Sequence, residues 1–218
     1  MCFFYPDCRK KEGSALLKLE HIEKSFGEKR VLSDVSLLVP EGTAASLSGM
    51  SGSGKTTLLR IAAGLERPDA GVVQADGKVA VVFAEPRLFD SARVLENVTC
   101  VMSGEGKEKE EKARELLAAL EIGDAARLRP RELSSGMAAR VSLARALAYN
   151  ADVYLLDEPF KSLDGELKRR VMAYLTSFFT GKTVLFITHD ESEAAFLAAK
   201  RFYLSEGTLS EFYEKQNL

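Results

Sequence analysis

The sequence is short of three features that mark membrane-embedded, disulfide-rich or nucleic-acid-binding proteins. No apolar run reaches the roughly 18 residues of a membrane-spanning helix, and no basic leader followed by an apolar segment predicts a secretory signal. The three cysteines lack the number and spacing of a disulfide framework, and neither of the two histidines completes a metal site with them. We therefore expect free thiols in a reducing cytoplasm. Lys and Arg total 30 against 32 for Asp and Glu, so no overall basic field favours a nucleic-acid partner.

The composition that is present is typical of one globular domain. Hydrophobic residues make up 46% of the 218 residues and charged residues 28%, which excludes a disordered or fibrous chain. The sequence has no internal repeat, no low-complexity linker and no sustained heptad pattern. We expect a single domain over residues 1–218, in which residues 1–14 lack periodicity and form a loose amino-terminal arm.

Hydrophobic patterning predicts an α/β fold. Two near-continuous apolar runs, Val153–Leu156 and Val184–Ile187, are typical of parallel strands covered on both faces. A helix predicted over about residues 165–179 lies between them, and this strand–helix–strand order favours a parallel sheet with helices on both sides. Further strands are predicted near residues 17–22, 31–39 and 44–47, together with a hairpin of strands 72–75 and 79–83 joined at Asp76-Gly77.

The segment from Gly49 to Thr56 fits the phosphate-loop pattern of glycine, four residues and then Gly-Lys-Ser/Thr. Glycines let the backbone wrap close to phosphate oxygens with successive N–H groups pointing inward, and the following helix directs its positive end at the same phosphates. Lys55 adds a positive charge, and the Thr56 hydroxyl can bind Mg²⁺. The sequence therefore predicts an ATP cradle formed by Gly49, Ser51, Gly52, Ser53, Gly54, Lys55, Thr56 and Thr57.

Polar side chains also stand at the carboxyl ends of both buried strands, at the edge where parallel sheets bind ligands. Asp157 and Glu158 follow Leu155-Leu156, and His189 follows Ile187-Thr188. Beside a phosphate loop, Asp157 would hold Mg²⁺, Glu158 would polarise an attacking water and His189 would reach the γ-phosphate. Taken alone, the two acids could equally be a solvated strand end, and the histidine an ordinary hydrogen-bonded residue.

A further motif indicates the family. Leu133-Ser134-Ser135-Gly136-Met137 stands at the start of a helix predicted over residues 135–148, and alone it would be only a helix cap. With the phosphate loop before it, and Asp157-Glu158, Ser162-Leu163-Asp164 and His189 after it, the chain resembles the ATP-binding cassette (ABC) family. The signature segment of that family is usually Leu-Ser-Gly-Gly followed by glutamine or methionine. The resemblance covers about residues 16–211.

The resemblance implies a fold and a set of site residues. The fold would be a P-loop NTPase with a mainly parallel core sheet, an amino-terminal antiparallel β subdomain and a helical signature subdomain over about residues 85–148. Two cassettes would pair head to tail, with Asp164 at the dimer interface and Phe26 stacked on adenine. The alternative for Phe26 is a core aromatic. Catalysis would fall to Lys55, Glu158 and His189, and Ser134, Ser135, Gly136 and Met137 would contact the ATP held by the other chain.

Two runs, Glu85-Pro86-Arg87-Leu88 and Val94-Leu95-Glu96-Asn97-Val98, resemble cassettes of the nitrate, sulfonate, taurine and pyrimidine-precursor importers. This resemblance implies an ATP-hydrolysing subunit of an importer for a small solute, with ATP and Mg²⁺ as cofactors. The chain would lie on the cytoplasmic face of the cell membrane, bound to integral membrane permease subunits and served by an extracytoplasmic solute-binding protein. A soluble cassette ATPase acting on nucleic acid or ribosomes is disfavoured, because one phosphate loop and no coiled-coil insertion are present.

Two positions depart from the family pattern. Ala84 stands where the family has a glutamine that contacts Mg²⁺ and the attacking water, and Ser135 replaces a signature glycine. Losing one polar contact at a reacting centre costs roughly 2 to 4 kcal/mol of transition-state stabilisation. The departures leave open an alternative function, a nucleotide-binding partner cassette that hydrolyses ATP weakly or not at all. The retained lysine, acids and histidine favour an active enzyme.

Overall fold

Strands and helices alternate along the chain in the computed structural model, which describes residues 16–104 and 106–212. The strands are β1 Leu17–Phe26, β2 Lys29–Val39, β3 Ala44–Ser48, β4 Ala70–Ala75, β5 Val79–Val82, β6 Val153–Asp157, β7 Thr183–Ile187, β8 Lys200–Ser205 and β9 Thr208–Phe212. The helices are α1 Lys55–Ala62, α2 Val94–Thr99, α3 Gly106–Ala119, α4 Ser135–Ala148, α5 Gly165–Phe178 and α6 Glu191–Leu197. The predicted loose arm, residues 1–14, lies outside the described residues.

The central sheet has the strand order β5-β6-β7-β3-β8-β9. Its first five strands run parallel, and β9 pairs antiparallel with β8. Successive side chains of β6 point to opposite faces, so Tyr154 and Leu156 pack into one core while Val153 and Leu155 pack into another. The predicted parallel strands covered on both faces are therefore confirmed, and the α/β fold class with them.

A separate three-stranded antiparallel sheet has the order β2-β1-β4. β1 and β2 pair along nearly their whole length, from Leu17 opposite Val39 to Phe26 opposite Lys29. The apolar side chains of this sheet share a core with α1 and with one face of the central sheet. The antiparallel subdomain that the family resemblance implied is thus present at the start of the described chain.

The predicted hairpin at Asp76-Gly77 is wrong. β4 pairs antiparallel with β1, whereas β5 pairs parallel with β6, so the turn joins two different sheets. The main-chain N–H of Lys78 donates to Asp152 Oδ2 at 2.8 Å, and the Lys78 carbonyl oxygen accepts from Asp152 N–H at 2.9 Å. Contacts with a residue far along the chain therefore override the local turn signal. Strands β8 and β9 were not predicted.

The sheet order determines where polar side chains meet. β6, β7 and β3 are neighbours and run in the same direction, so the segments that follow their carboxyl ends lie at one edge. These segments are the phosphate loop, the Asp157-Glu158 pair and the His189 loop. Within the described residues, no helix has both the length and the hydropathy needed to cross a membrane.

Candidate active site

The loop between β3 and α1 forms a cradle whose shape requires glycine. Lys55 is buried, and its Nζ donates to the carbonyl oxygens of Gly49 and Met50, each at 2.7 Å. Gly54, just before α1, has a φ of 103°, and a Cβ added there would lie 3.0 Å from the Val31 carbonyl oxygen. A Cβ at Gly49 would overlap the main chain of β8. The loop can therefore bring its backbone close to a ligand only with these glycines.

One polar atom inside the cradle lacks a partner. Among the described residues, the Ser53 Oγ is the buried side-chain oxygen or nitrogen without a hydrogen bond. An unpaired buried hydroxyl costs free energy, and a phosphate oxygen in the cradle would accept its hydrogen bond. The orphaned hydroxyl, the glycines and the Lys55 ammonium fit a phosphate-bearing nucleotide.

A hydroxyl and a carboxylate meet at the mouth of the cradle. Thr56 Oγ1 donates to Asp157 Oδ2 at 3.0 Å. Burial raises the pKa of Asp157 above its ordinary value, although the Thr56 hydrogen bond opposes this. Burial likewise lowers the pKa of Lys55, against the pull of Glu158 and Asp157. In the described chain no three His, Cys, Asp or Glu residues cluster as a metal cage, but one hydroxyl and one carboxylate fit Mg²⁺, which takes its other ligands from phosphates and water.

Glu158 and His189 are in direct contact at the same edge. Glu158 Oε1 lies 3.0 Å from His189 Nε2, and Glu158 Oε2 lies 3.0 Å from Lys161 Nζ. Glu158 has a φ of 46°, in the left-handed region, and its N–H donates to the Ile187 carbonyl oxygen at 3.0 Å. A non-glycine residue held in this region carries backbone strain of the kind found at functional sites. Its carboxylate is held by the His189 and Lys161 side chains, in the wall of the cavity that also contains Lys55 and Thr56.

These residues line one cavity of about 300 Å³. Its walls are Phe26, Val31, Ser51, Gly52, Gly54, Lys55, Thr56, Thr57, Asp157, Glu158 and His189. Phe26 is 51% exposed, so the core alternative for this aromatic is wrong, and Lys24 Nζ lies 5.1 Å from the centre of its ring. The structure therefore brings together the phosphate loop, both acids, the histidine and the aromatic that the sequence singled out.

The signature segment lies outside this cavity. Ser134 Oγ accepts from the Met137 N–H at 3.3 Å and so caps α4. A Cβ at Gly136 would lie 2.6 Å from the Ser162 carbonyl oxygen, two residues before Asp164. Asp164 itself is exposed at the start of α5, and Ser135 is also exposed. Ala84 is exposed in the segment that follows β5 and is not among the residues that line the cavity.

Two residues at the site were not predicted from the sequence. Val31 contributes to the cavity wall, and nothing in the sequence marks this strand residue as near the phosphate loop. Lys161 pairs with Glu158 from three residues along the chain. The spacing is that of a single turn, which the Lys161 N–H closes by donating to the Glu158 carbonyl oxygen at 3.2 Å.

A phosphate loop, an acidic strand end and a histidine on the neighbouring strand end define a nucleotide-hydrolysing P-loop site. Residues 32–161 match the family model described as ABC transporter. The chain is 43% identical to the Aliphatic sulfonates import ATP-binding protein SsuB 3 of Rhodococcus jostii, over 91% of this chain and 75% of that protein. It is 36% identical to the Sulfate/thiosulfate import ATP-binding protein CysA of Vibrio cholerae, over 89% of this chain and 57% of that protein.

Solved structures agree with these relatives. The dimeric structure of a post-hydrolysis state of the ATP-binding cassette MJ0796, bound to ADP and Pi, superposes with a TM-score of 0.84 at 32% identity, covering 90% of this chain and 97% of that one. The chain belongs to the ABC transporter family and is an ATP-binding, ATP-hydrolysing cassette. The resemblance to the sulfonate importer ATPases, first carried by short motifs, is confirmed over most of the sequence.

Proposed function

We propose that this chain is the energy-supplying subunit of an importer for a small solute and works as a head-to-tail dimer. The observation that carries the proposal is the contact of Glu158 with His189 at 3.0 Å beside a complete phosphate cradle. Relatives named for the import of aliphatic sulfonates and of sulfate or thiosulfate support the import direction. The solute itself would be selected by other subunits, since the cavity is built for a nucleotide.

Each residue in the cavity has a role in this proposal. Phe26 stacks on adenine, the phosphate-loop N–H groups and Lys55 bind the phosphates, and Thr56 and Asp157 hold Mg²⁺. The bound Mg²⁺ would neutralise charge on the phosphate oxygens. Glu158 accepts a proton from the water that attacks the γ-phosphorus. His189 keeps the Glu158 carboxylate in place and contacts the γ-phosphate.

A second copy of the chain would complete the site. Ser134, Ser135, Gly136 and Met137 lie at the amino-terminal end of α4, an end that favours anions. None of these residues lines the cavity of its own chain, and we assign them to the γ-phosphate bound by another chain. The contact of Gly136 with the Ser162 main chain places the signature beside the segment that leads to Asp164. This arrangement supports an interface built from both segments.

A separate groove supports the permease as partner. It has a volume of about 520 Å³ and lies between α1, β5 and α4, with three arginines and three aromatic rings among its walls: Arg60, Arg87, Arg145, Phe83, Phe89 and Tyr149. Arg145 Nη2 donates to the Arg87 carbonyl oxygen at 2.6 Å, and the Arg87 guanidinium lies 4.4 Å from the centre of the Phe83 ring. Because apolar and cationic side chains line the same groove, we assign it to a short cytoplasmic helix of the permease.

The alternative function is a partner cassette that binds ATP and hydrolyses it weakly or not at all. The methyl group of Ala84 favours this function, because it can neither coordinate Mg²⁺ nor form a hydrogen bond with the attacking water. Ser135 favours it as well, since its hydroxyl sits where a second chain would approach. A heterodimer with a fully active second cassette would then carry the hydrolysis.

The test combines hydrolysis with assembly. The purified chain is assayed for phosphate release with Mg²⁺ and ATP, beside Lys55→Ala and a control, Lys18→Ala, at a half-buried lysine that pairs with Glu20 on β1. We expect turnover that Lys55→Ala abolishes and Lys18→Ala leaves unchanged. Co-expression with a permease encoded next to this chain should give a complex that co-purifies. ATP-dependent dimers without phosphate release would favour the alternative, and turnover without any permease association would argue against the importer.

A further inference from the structure

A charged network surrounds the loop that carries His189. Thr188, which directly follows β7, and Glu193, in α6, are both buried. The Thr188 hydroxyl donates to Glu193 Oε2, and its oxygen accepts from the Asp190 main-chain N–H at 3.0 Å. One hydroxyl therefore ties together the residues on the two sides of His189 and anchors them to the next helix.

Lys168 joins this network from another helix, α5. Its ammonium contacts Glu193 Oε1 and lies 2.6 Å from Asp190 Oδ2. Asp190 also caps α6, because its Oδ1 accepts from the Ser192 N–H at 2.8 Å. Lys168 lies one helical turn after Asp164, whose carbonyl oxygen accepts the Lys168 N–H at 2.8 Å. The beginning of α5 is thereby connected to the His189 loop.

The electrostatics favour a single arrangement of this network. The Glu193 carboxylate is nearly inaccessible to water, so it needs an opposite charge close by. Although burial opposes it, hydrogen bonds to Asp190 and Glu193 raise the pKa of Lys168. The hydrogen bond from Lys168 contributes most to holding the pKa of Asp190 below its ordinary value. Removing the ammonium would leave the buried Glu193 carboxylate with the Thr188 hydrogen bond but without an opposite charge, and such a charge is strongly unfavourable.

His189 depends on its loop for orientation. Its side chain is about half exposed, and it meets Glu158 Oε1 at 3.0 Å. We propose that Lys168 is a positioning residue for ATP hydrolysis: by holding Glu193 and Asp190, it fixes the loop in which His189 faces Glu158. It also couples that loop to the helix that begins after Asp164. The inference rests on the proposed function, because it requires His189 to act at the γ-phosphate.

Three variants test the proposal through kinetics. Lys168→Met removes the ammonium at similar length, Lys168→Arg keeps a cationic donor, and Lys112→Met removes an exposed lysine–glutamate pair on α3 as the matched control. In Lys168→Met we expect kcat to fall roughly tenfold with ATP affinity within about twofold, because a small misplacement of a reacting group is enough to slow chemistry to this extent. Lys168→Arg should recover most of the turnover, and Lys112→Met should retain all of it. Unchanged kcat in Lys168→Met, or a parallel loss of kcat and ATP affinity, would overturn the proposal.

A spectroscopic measurement tests positioning without relying on turnover. The chain has two histidines, so a His21→Gln variant assigns the imidazole NMR signals of the other one. In Lys168→Met we expect the His189 ring signals to broaden or split. The signals of His21, which pairs with Asp34 on the antiparallel sheet, should stay unchanged. Sharp, unshifted His189 signals would show that Lys168 does not hold the loop.

A variant at Thr188 tests the same network without changing Lys168, in case Lys168→Met does not fold. Thr188→Val keeps the β-branched shape while removing the hydroxyl that joins Glu193 and the Asp190 N–H. Like Lys168→Met, it should lower kcat at unchanged ATP affinity, and full activity in this variant would contradict the network.

His189→Ala distinguishes a wrong role for His189 from a wrong role for Lys168. If it leaves kcat unchanged, the assignment of the site fails; if it lowers kcat while Lys168→Met does not, only the role of Lys168 fails.

Discussion

Lys161 Nζ lies 3.0 Å from Glu158 Oε2, so the carboxylate assigned to proton transfer is paired with an ammonium as well as with His189. The lysine is 70% exposed and its partner is 18% exposed. The ammonium occupies one oxygen of the carboxylate that must accept a proton, so it competes with water for that oxygen. We therefore expect the ion pair to lower the rate of ATP hydrolysis.

Replacing Lys161 with an uncharged residue should raise the turnover. In Lys161→Ala we expect turnover to rise by at most about fivefold, because exposed ion pairs are weak. Lys161→Arg should keep the wild-type rate, since it preserves the charge. Steady-state phosphate release at saturating ATP measures the effect. A fall in turnover would mean that the lysine assists the reaction instead.

Glu158→Gln should separate binding from hydrolysis. The amide keeps the size of the side chain and loses the ability to accept a proton, so we expect turnover to fall at least about a hundredfold. ATP binding should be retained. ATP-bound dimers should accumulate because they do not hydrolyse their ATP, and size-exclusion chromatography should detect them. Wild-type turnover in this variant would remove Glu158 from the mechanism.

Ala84→Gln restores a polar side chain at the position where the family has glutamine. We expect turnover, or its stimulation by the permease, to increase, since one polar contact at a reacting centre is worth roughly 2 to 4 kcal/mol at most. Ala84→Leu adds comparable bulk without a hydrogen-bonding group and serves as the control. An equal response to both substitutions would show that size, and not polarity, matters at this exposed position.

Phe26→Ala should weaken nucleotide binding by roughly 5- to 150-fold, because stacking of a base on an aromatic ring is worth about 1 to 3 kcal/mol. Phe26→Tyr should bind ATP as the wild type does. Competition with inorganic triphosphate, which has no base, provides the discriminating measurement by calorimetry. If triphosphate affinity falls together with ATP affinity, the ring supports the phosphate loop and does not read the base.

Asp157→Asn tests whether the buried charge of Asp157 destabilises the nucleotide-free protein. Burial raises the pKa of Asp157 in the folded state, so its charge destabilises the folded protein once the pH exceeds the ordinary carboxyl pKa. The penalty is absent below that value, grows as the pH rises to the elevated pKa, and is constant above it. In nucleotide-free protein, Asp157→Asn should therefore raise Tm at neutral pH and have little effect near pH 3. Thermal unfolding across this pH range measures it, and a pH-independent difference would contradict the account.

Local sequence signals were sufficient for much of the fold and of the site. The apolar runs at β6 and β7 and the glycine pattern before α1 each depend on neighbouring residues, and the structure has these elements where the patterns predicted them. The hairpin prediction at Asp76-Gly77 was wrong because the two strands pair with other strands, β4 with β1 and β5 with β6.

The network around Lys168 could not have been predicted from the sequence for the same kind of reason. Lys168 and Glu193 are 25 positions apart, and only the packing of α5 beside α6 brings their charges together. Similarly, a surface or core location for Phe26 depends on how β1 meets the phosphate loop. Residue types and spacing identify candidates for chemistry, whereas the pairing of their side chains follows from tertiary contacts.

The tight approach of Gly136 to Ser162 distinguishes the two signature positions that usually carry glycine. At position 136 any larger side chain would strike the main chain of the same molecule, so folding alone demands glycine there. Position 135 is exposed and tolerates a serine within the isolated chain. We infer that the usual preference for glycine at position 135 comes from the assembled state, so that the serine affects how this chain packs against a second one and not how it folds.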